Sequence, residues 1–251
     1  MAELPRDAWQ FTLFDLRILF GGKTLYLIEI VQKMGEIFSK YWRNFLIEGV
    51  GTTLILSLIT VSCGAVLGAL LAIVKMSKFK PVGWIITAFV EVIRGTPLLL
   101  QLYIGYFLLP ELLPFLDLNE FWSVALALIL NSAAYVSEII RSGIEAVDKG
   151  QTEAARSLGL NGTTTMLQIV LPQAVKNILP ALCNEFITII KETSLASTFF
   201  VGELMTVYAI VKGITFTPIP TLMIVGIIYF VLNFVLSKAL GVFERRMKAH
   251  A

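Results

Sequence analysis

The chain has 251 residues, 57% of them hydrophobic and 15% charged, with a formal net charge of +2 and a mean hydropathy of +0.80. That hydropathy lies outside the range of soluble domains and marks a polytopic membrane protein, while a charge so small and dispersed argues against nucleic acid as a partner. His250 is the only histidine, and Cys63 and Cys183 both fall inside apolar runs, so a histidine-based catalytic or zinc site and a disulfide framework are excluded.

Residues 1–44 read as an N-terminal extension. Trp9, Phe11, Leu13, Phe14 and Ile18 make an apolar patch, but Asp15, Arg17, Lys23 and Glu29 interrupt it too often for a span, which predicts an interfacial amphipathic segment. The segment lacks the basic start, apolar core and small-residue cleavage site of a signal peptide. Gly22-Lys23-Thr24 mimics the end of a phosphate-binding loop, yet the first glycine of that loop would fall at Arg17, so ATP is not expected to bind there.

A first span is predicted over 45–74, where Thr60, Gly64, Gly68 and Ala72 recur every four residues as one face for close helix packing. Lys75, Lys78 and Lys80 follow as an inside marker. The second span, 82–109, carries Glu91 and Arg94 three residues apart and then Gly95-Thr96-Pro97. Pro97 has no N–H to give, so a carbonyl near residue 93 is expected to be free at mid-depth, as in broken helices that line substrate sites. A kink with an intrahelical Glu91–Arg94 pair reads the same residues equally well. Gln101, further along this span, joins the candidates for the path. Pro110, Glu111 and Pro114 end the span, and no Lys or Arg occurs up to Glu120, as in an external loop.

On the third span, 121–140, Asn131, Tyr135 and Glu138 share a face at i, i+4 and i+7, with Arg141 one turn on. Glu138 and Arg141 near the end of the span also suit a snorkelling ion pair, whereas Asn131 and Tyr135 lie deeper. The loop that follows, about 142–177, opens with Gly150-Gln151-Thr152-Glu153-Ala154-Ala155-Arg156-Ser157-Leu158-Gly159. It predicts a short helix closed by Gly159, a turn at Asn161-Gly162, and a second short helix from about Thr163 to Leu171 stopped by Pro172. Two further spans are expected at 178–201 and 218–240, with a short external element between them. On the fourth, Asn184, Glu185, Lys191 and Glu192 place polar groups where lipid should be; Lys191 lies roughly 16 Å along the helix from Pro180. A charge there costs at least ~3 kcal/mol unless paired or wetted, so it reads as part of a charge network or of a substrate contact. Basic residues put the C-terminus inside and leave the N-terminus outside.

Glu153-Ala154-Ala155, Gly159, Ile169 and Leu171-Pro172 resemble, spacing for spacing, the EAA loop of bacterial ABC-importer permeases. The resemblance implies an all-α fold of about five spans in which Glu153, Ala154, Ala155, Arg156, Gly159 and Leu160 form a cytoplasmic coupling surface for a separate ATPase subunit. Glu91-Val92-Ile93-Arg94-Gly95-Thr96-Pro97, Ala134-Tyr135-x-x-Glu138, Asn184-Glu185-Phe186-Ile187 and Lys191-Glu192-Thr193-Ser194 look like the polar amino acid branch of that family, the histidine, glutamine and arginine importers. The likeness covers about 45–245, a transmembrane domain followed by a short tail, 246–251. Cys183 departs from the glycine usual there, and the N-terminal extension is long.

The resemblance further implies two ATPase subunits that carry the ATP and Mg, a second permease subunit identical or related to this one, an extracytoplasmic substrate-binding protein, an amino acid substrate, and a place in the lipid of the bacterial cytoplasmic (inner) membrane. No cofactor is expected in this chain. Its path candidates are Glu91, Arg94, Gln101, Asn131, Tyr135, Glu138, Asn184, Glu185, Lys191 and Glu192. An ABC permease for another small polar solute keeps the same mechanism, whereas an ion-coupled secondary carrier would need no coupling helix and often shows repeats, which are absent.

Overall fold

The computed structural model describes residues 22–77 and 80–249, with side chains over 26–77 and 80–242. The expected interfacial segment before residue 22, the side chains of Lys23 and Thr24, Lys78, and the basic side chains and His250 after residue 242 lie outside it. The described residues form helices and connecting turns. Four helical runs, Tyr26–Lys75, Glu120–Glu145, Gly162–Phe199 and Pro218–Val242, are long and apolar enough to cross a membrane, and a bent helix pair makes up to a fifth. This is the all-α polytopic architecture expected.

Helix α1 (Gly22–Arg43) breaks its regular geometry at Tyr41 and passes through a π-helical turn at Asn44–Gly49 into α2 (Val50–Lys75). Ile30 and Ile37 are buried from α1, and Ile37 shares a core with Phe45, Leu204, Val207 and Ile224. The helix is therefore amphipathic and packed on the bundle along one stripe.

The expected small-residue face of α2 is real, and it is what α2 presents to α5 (Glu120–Glu145). A Cβ built on Gly64 would sit 2.8 Å from the Ser132 side chain, and one on Gly68 would sit 2.7 Å from Val136 Cβ. The backbones approach too closely for any larger residue at those two points. Helix α5 is the buried centre, with α2, α3 (Lys80–Gly95), α4 (Leu98–Leu112) and α8 (Leu171–Glu192) against it. Asn119 caps its start by accepting from Trp122 N at 3.0 Å.

The second span expected over 82–109 is the pair α3 and α4, bent by 112° at Gly95-Thr96-Pro97, so of its two readings the broken helix forms and the simple kink does not. Proline removes the hydrogen bond there, and Pro97 is extended, at ψ 134°, so the chain changes direction instead of merely bending. The stop expected at Pro172 does not form. Helix α6 (Lys149–Ser157) is followed by α7 (Gly162–Thr165), and α7 runs through a π-helical turn at Met166–Val170 directly into α8. Pro172 lies inside this continuous run; it cannot donate to the carbonyl of Gln168, and the π-helical turn just before it absorbs the loss. The fourth span consequently begins at the loop itself. It ends in a 3-10 segment, Thr193–Phe199, and the expected element between the last two spans is α9 (Leu204–Thr215), ahead of α10 (Pro218–Ala249).

Candidate functional site

The α6–α7 surface is built from its caps outward. Asp148 accepts from Gly150 N at 2.6 Å and opens α6; Asn161 accepts from Thr164 N at 2.8 Å and opens α7. Gly159 adopts φ +85°, a left-handed conformation suited to glycine, and Leu160 N donates back to Ala155 O at 3.1 Å. Arg156 braces the turn by donating to Leu160 O at 2.9 Å. Ala155 faces inward, whereas Glu153, Ala154, Arg156 and Gly159 are exposed and Leu160 is partly exposed. Leu158 is 84% exposed at the tip. Underneath, Val147, Val170, Ala174 and Ile178 form a core that ties this surface to α5 and α8.

A second site is an open groove between α3, α5 and α8, with Arg94 and Tyr135 exposed along it. A cavity of about 380 Å³ is lined by Arg94 from α3, by Tyr135, Glu138 and the last turns of α5, and by Asn177 and Ala181 from α8. The Arg94 guanidinium lies over the Tyr135 ring, 5.5 Å from its centroid. Glu138 is bonded on both oxygens: Lys75 Nζ donates to Oε2 at 3.0 Å and Arg141 Nε to Oε1 at 2.7 Å. Arg141 also pairs with Glu145. The expected Glu138–Arg141 pair therefore exists, but as part of a four-charge ladder that reaches α2. Glu91 is exposed and makes no ion pair among the described residues, so the alternative of an intrahelical Glu91–Arg94 pair is not what forms.

Gln101 and Asn131 are brought together away from this cavity. Asn131 Nδ2 donates to Gln101 Oε1 at 2.8 Å, and Gln101 Nε2 reaches Ile93 O at 2.6 Å, Thr96 Oγ1 at 2.9 Å and Thr96 O at 3.1 Å. The carbonyl expected to be free near residue 93 is thus satisfied by a side chain. On α8, Glu185 is buried, with Ser132 Oγ donating to it at 3.4 Å; Asn184 and Lys191 are exposed, and Glu192 is half-buried.

Two charged side chains hold partners that the sequence does not signal as such. Lys75 was read only as an inside marker; its partner is 63 residues away, so no local spacing signals it. Glu203 is fully buried and caps α9, accepting from Met205 N and Thr206 N at 2.7 Å each and from Tyr229 OH at 3.0 Å. Burial pushes its carboxyl up from the usual range, against the pull of those backbone donors. Its signal was an acid following Gly202 at the head of an apolar helix.

The family model for the binding-protein-dependent transport system inner membrane component matches residues 64–249. The chain is 44% identical over 206 residues to the arginine transport system permease protein ArtQ of Bacillus subtilis (strain 168), an alignment that covers 82% of this chain and 94% of ArtQ. It is 38% identical over 200 residues to the L-cystine transport system permease protein TcyB of the same organism, covering 79% and 85%. A crystal structure of an amino acid ABC transporter with histidines superposes with a TM-score of 0.77 at 42% identity, over 83% of this chain and 96% of that one.

Proposed function

The chain belongs to the family of binding-protein-dependent transport system inner membrane components, and from that premise we propose that it is the permease subunit of an ATP-driven importer of polar or charged amino acids. The observation that carries the reading is that one helix, α8, serves both sites. Ala174 and Ile178 pack beneath the α6–α7 surface, while Asn177 and Ala181, on the same turns, line the Arg94 cavity. A displacement of the surface carries a wall of the cavity with it.

Two ATPase subunits, each holding ATP and Mg, seat on α6–α7 surfaces, one per permease subunit. Their closure moves α8 and switches the path from inward to outward access; hydrolysis resets it. A substrate-binding protein delivers the amino acid at the opposite end. Arg94 supplies a charge-assisted donor to the substrate carboxylate, and tighter binding in one state than the other lets ligand bias the switch. Glu91 and Lys191 are exposed charges and Asn184 an exposed neutral amide on spans, where a charge facing lipid costs at least ~3 kcal/mol. They face a wetted path shared with a second permease subunit. The α6–α7 surface and the C-terminus are cytoplasmic and the N-terminus is outside.

The test is co-purification from detergent-solubilised native membranes, followed by ATPase stimulation in proteoliposomes by a panel of amino acids and other small polar solutes. An ATPase subunit is expected with the wild type and is expected to be lost or uncoupled in Gly159→Trp, which jams the turn. Stimulation by a non-amino-acid solute alone would reassign the substrate. Amino acid uptake that persists with ATP depleted and the ion gradient intact, with no ATPase retained, would overturn the reading in favour of an ion-coupled carrier.

A further inference from the structure

We infer that Gln101 is a positioning residue for transport: with Thr96 and Asn131 it clamps the α3–α4 break and thereby holds Arg94 against Tyr135. The inference rests on the Arg94 cavity being the substrate site. The break removes the N–H of Pro97 and turns α4 away by 112°, which strips the last carbonyls of α3 of their helical donors. Thr96 Oγ1 takes up Val92 O at 2.8 Å. The two N–H of the Gln101 amide are shared among Ile93 O, Thr96 O and Thr96 Oγ1, and its amide oxygen accepts from Asn131. One buried side chain thus joins the end of α3, the break, α4 and α5.

The register of these bonds gives the clamp its consequence. Ile93 immediately precedes Arg94, and Asn131 stands one helical turn before Tyr135 on α5. The bridge Ile93–Gln101–Asn131 and the contact of Arg94 with Tyr135 are therefore two links between the same two helices, on adjacent residues of α3 and about one turn apart on α5. If the first is cut, the end of α3 loses its distance to α5, and Arg94 loses its place over the ring. Neither Gln101 nor Asn131 lines the Arg94 cavity, so an effect on substrate affinity has to pass through Arg94.

The experiment uses the complete complex in proteoliposomes, with L-arginine and L-cystine as probes and half-saturation and maximal rate measured separately. Gln101→Leu leaves Thr96 O and the amide nitrogen of Asn131 without that partner and leaves Ile93 O with only the Thr96 hydroxyl at 3.4 Å. It is expected to raise KM at least about tenfold, the effect of losing one charge-assisted contact, while ATPase activity without substrate stays within about twofold of wild type. Asn131→Asp, which opposes two acceptors and cuts only the link to α5, is expected to act in the same direction. In an Arg94→Lys background Gln101→Leu is expected to raise KM by less than about twofold further, because both changes act through one group.

An unchanged KM in assembled Gln101→Leu complex, or KM effects of Gln101→Leu and Arg94→Lys that multiply, would overturn the clamp. Failure of both Gln101→Leu and Asn131→Asp to assemble would confine these residues to folding and overturn it equally. A wild-type complex that takes up neither probe is assayed with L-glutamine and L-histidine, and uptake of none of the four would count against the amino acid reading itself, an outcome distinct from any of these.

Discussion

Glu138 accepts from Lys75 on one oxygen and from Arg141 on the other, and both partners of the Lys75 pair keep only about a sixth of their side-chain surface exposed (15% and 16%). A pair so placed lies between the screened surface case and the fully desolvated one. A double-mutant cycle of Lys75→Met and Glu138→Gln, read as thermal unfolding in detergent, is expected to give a coupling of roughly 1–2 kcal/mol. Effects that simply add would mean that the two side chains do not stabilise each other. The chain itself reveals half of this ladder. Glu138 and Arg141 sit at helical spacing and were readable as a pair, whereas Lys75 belongs to another helix and shows only as a basic residue closing a span. Gln101 was readable as polar within a span, but its three acceptors exist only once Pro97 has turned the backbone.

At the scale of elements, local rules worked where one helix met its own periodicity and failed where two helices shared a junction. The Thr60, Gly64, Gly68 and Ala72 stripe recurs every four residues, and all four are buried. The 112° angle between α3 and α4 is set by packing on α5 and by the Gln101 bonds, neither of which Gly95-Thr96-Pro97 encodes alone. Pro172 misled because a π-helical turn ahead of it lets the helix run past a proline. The stripe makes a sharp prediction. Gly68→Val drives a branched side chain into Val136 and Ala133 O, the latter 2.8 Å from a Cβ at this position, and is expected to lose roughly 1–3 kcal/mol. Gly51, with nothing within 4 Å of its Cβ position, is the matched control: Gly51→Ala is expected to gain about 0.5–1 kcal/mol from the unfolded chain. Melting temperatures of the two variants that shift alike would show that α2 and α5 do not touch as closely as the glycines require.

For the whole molecule, the number of spans and the presence of a helical pair between the third and fourth were legible because hydropathy and charge report on them directly. The continuity of that pair with α8 was not, and this continuity is what joins the two sites. It also makes the chain's two ends distinguishable by experiment. Leu158 is 84% exposed at the tip of α6, and Phe216 is 86% exposed between α9 and α10. Each is a large apolar side chain with little to hold within this chain, so an aspartate at either place is expected to leave the folded subunit's melting temperature unchanged within about 2 °C, the range of an ordinary surface substitution. Leu158→Asp, however, removes a protruding apolar anchor from the proposed ATPase surface. It is expected to reduce ATPase retention about thirtyfold, the size of an interface hot spot of about 2 kcal/mol, whereas Phe216→Asp is expected to retain the ATPase in full. Equal retention by both variants would remove the α6 tip from the interface, and loss with Phe216→Asp alone would reverse the orientation proposed for the chain.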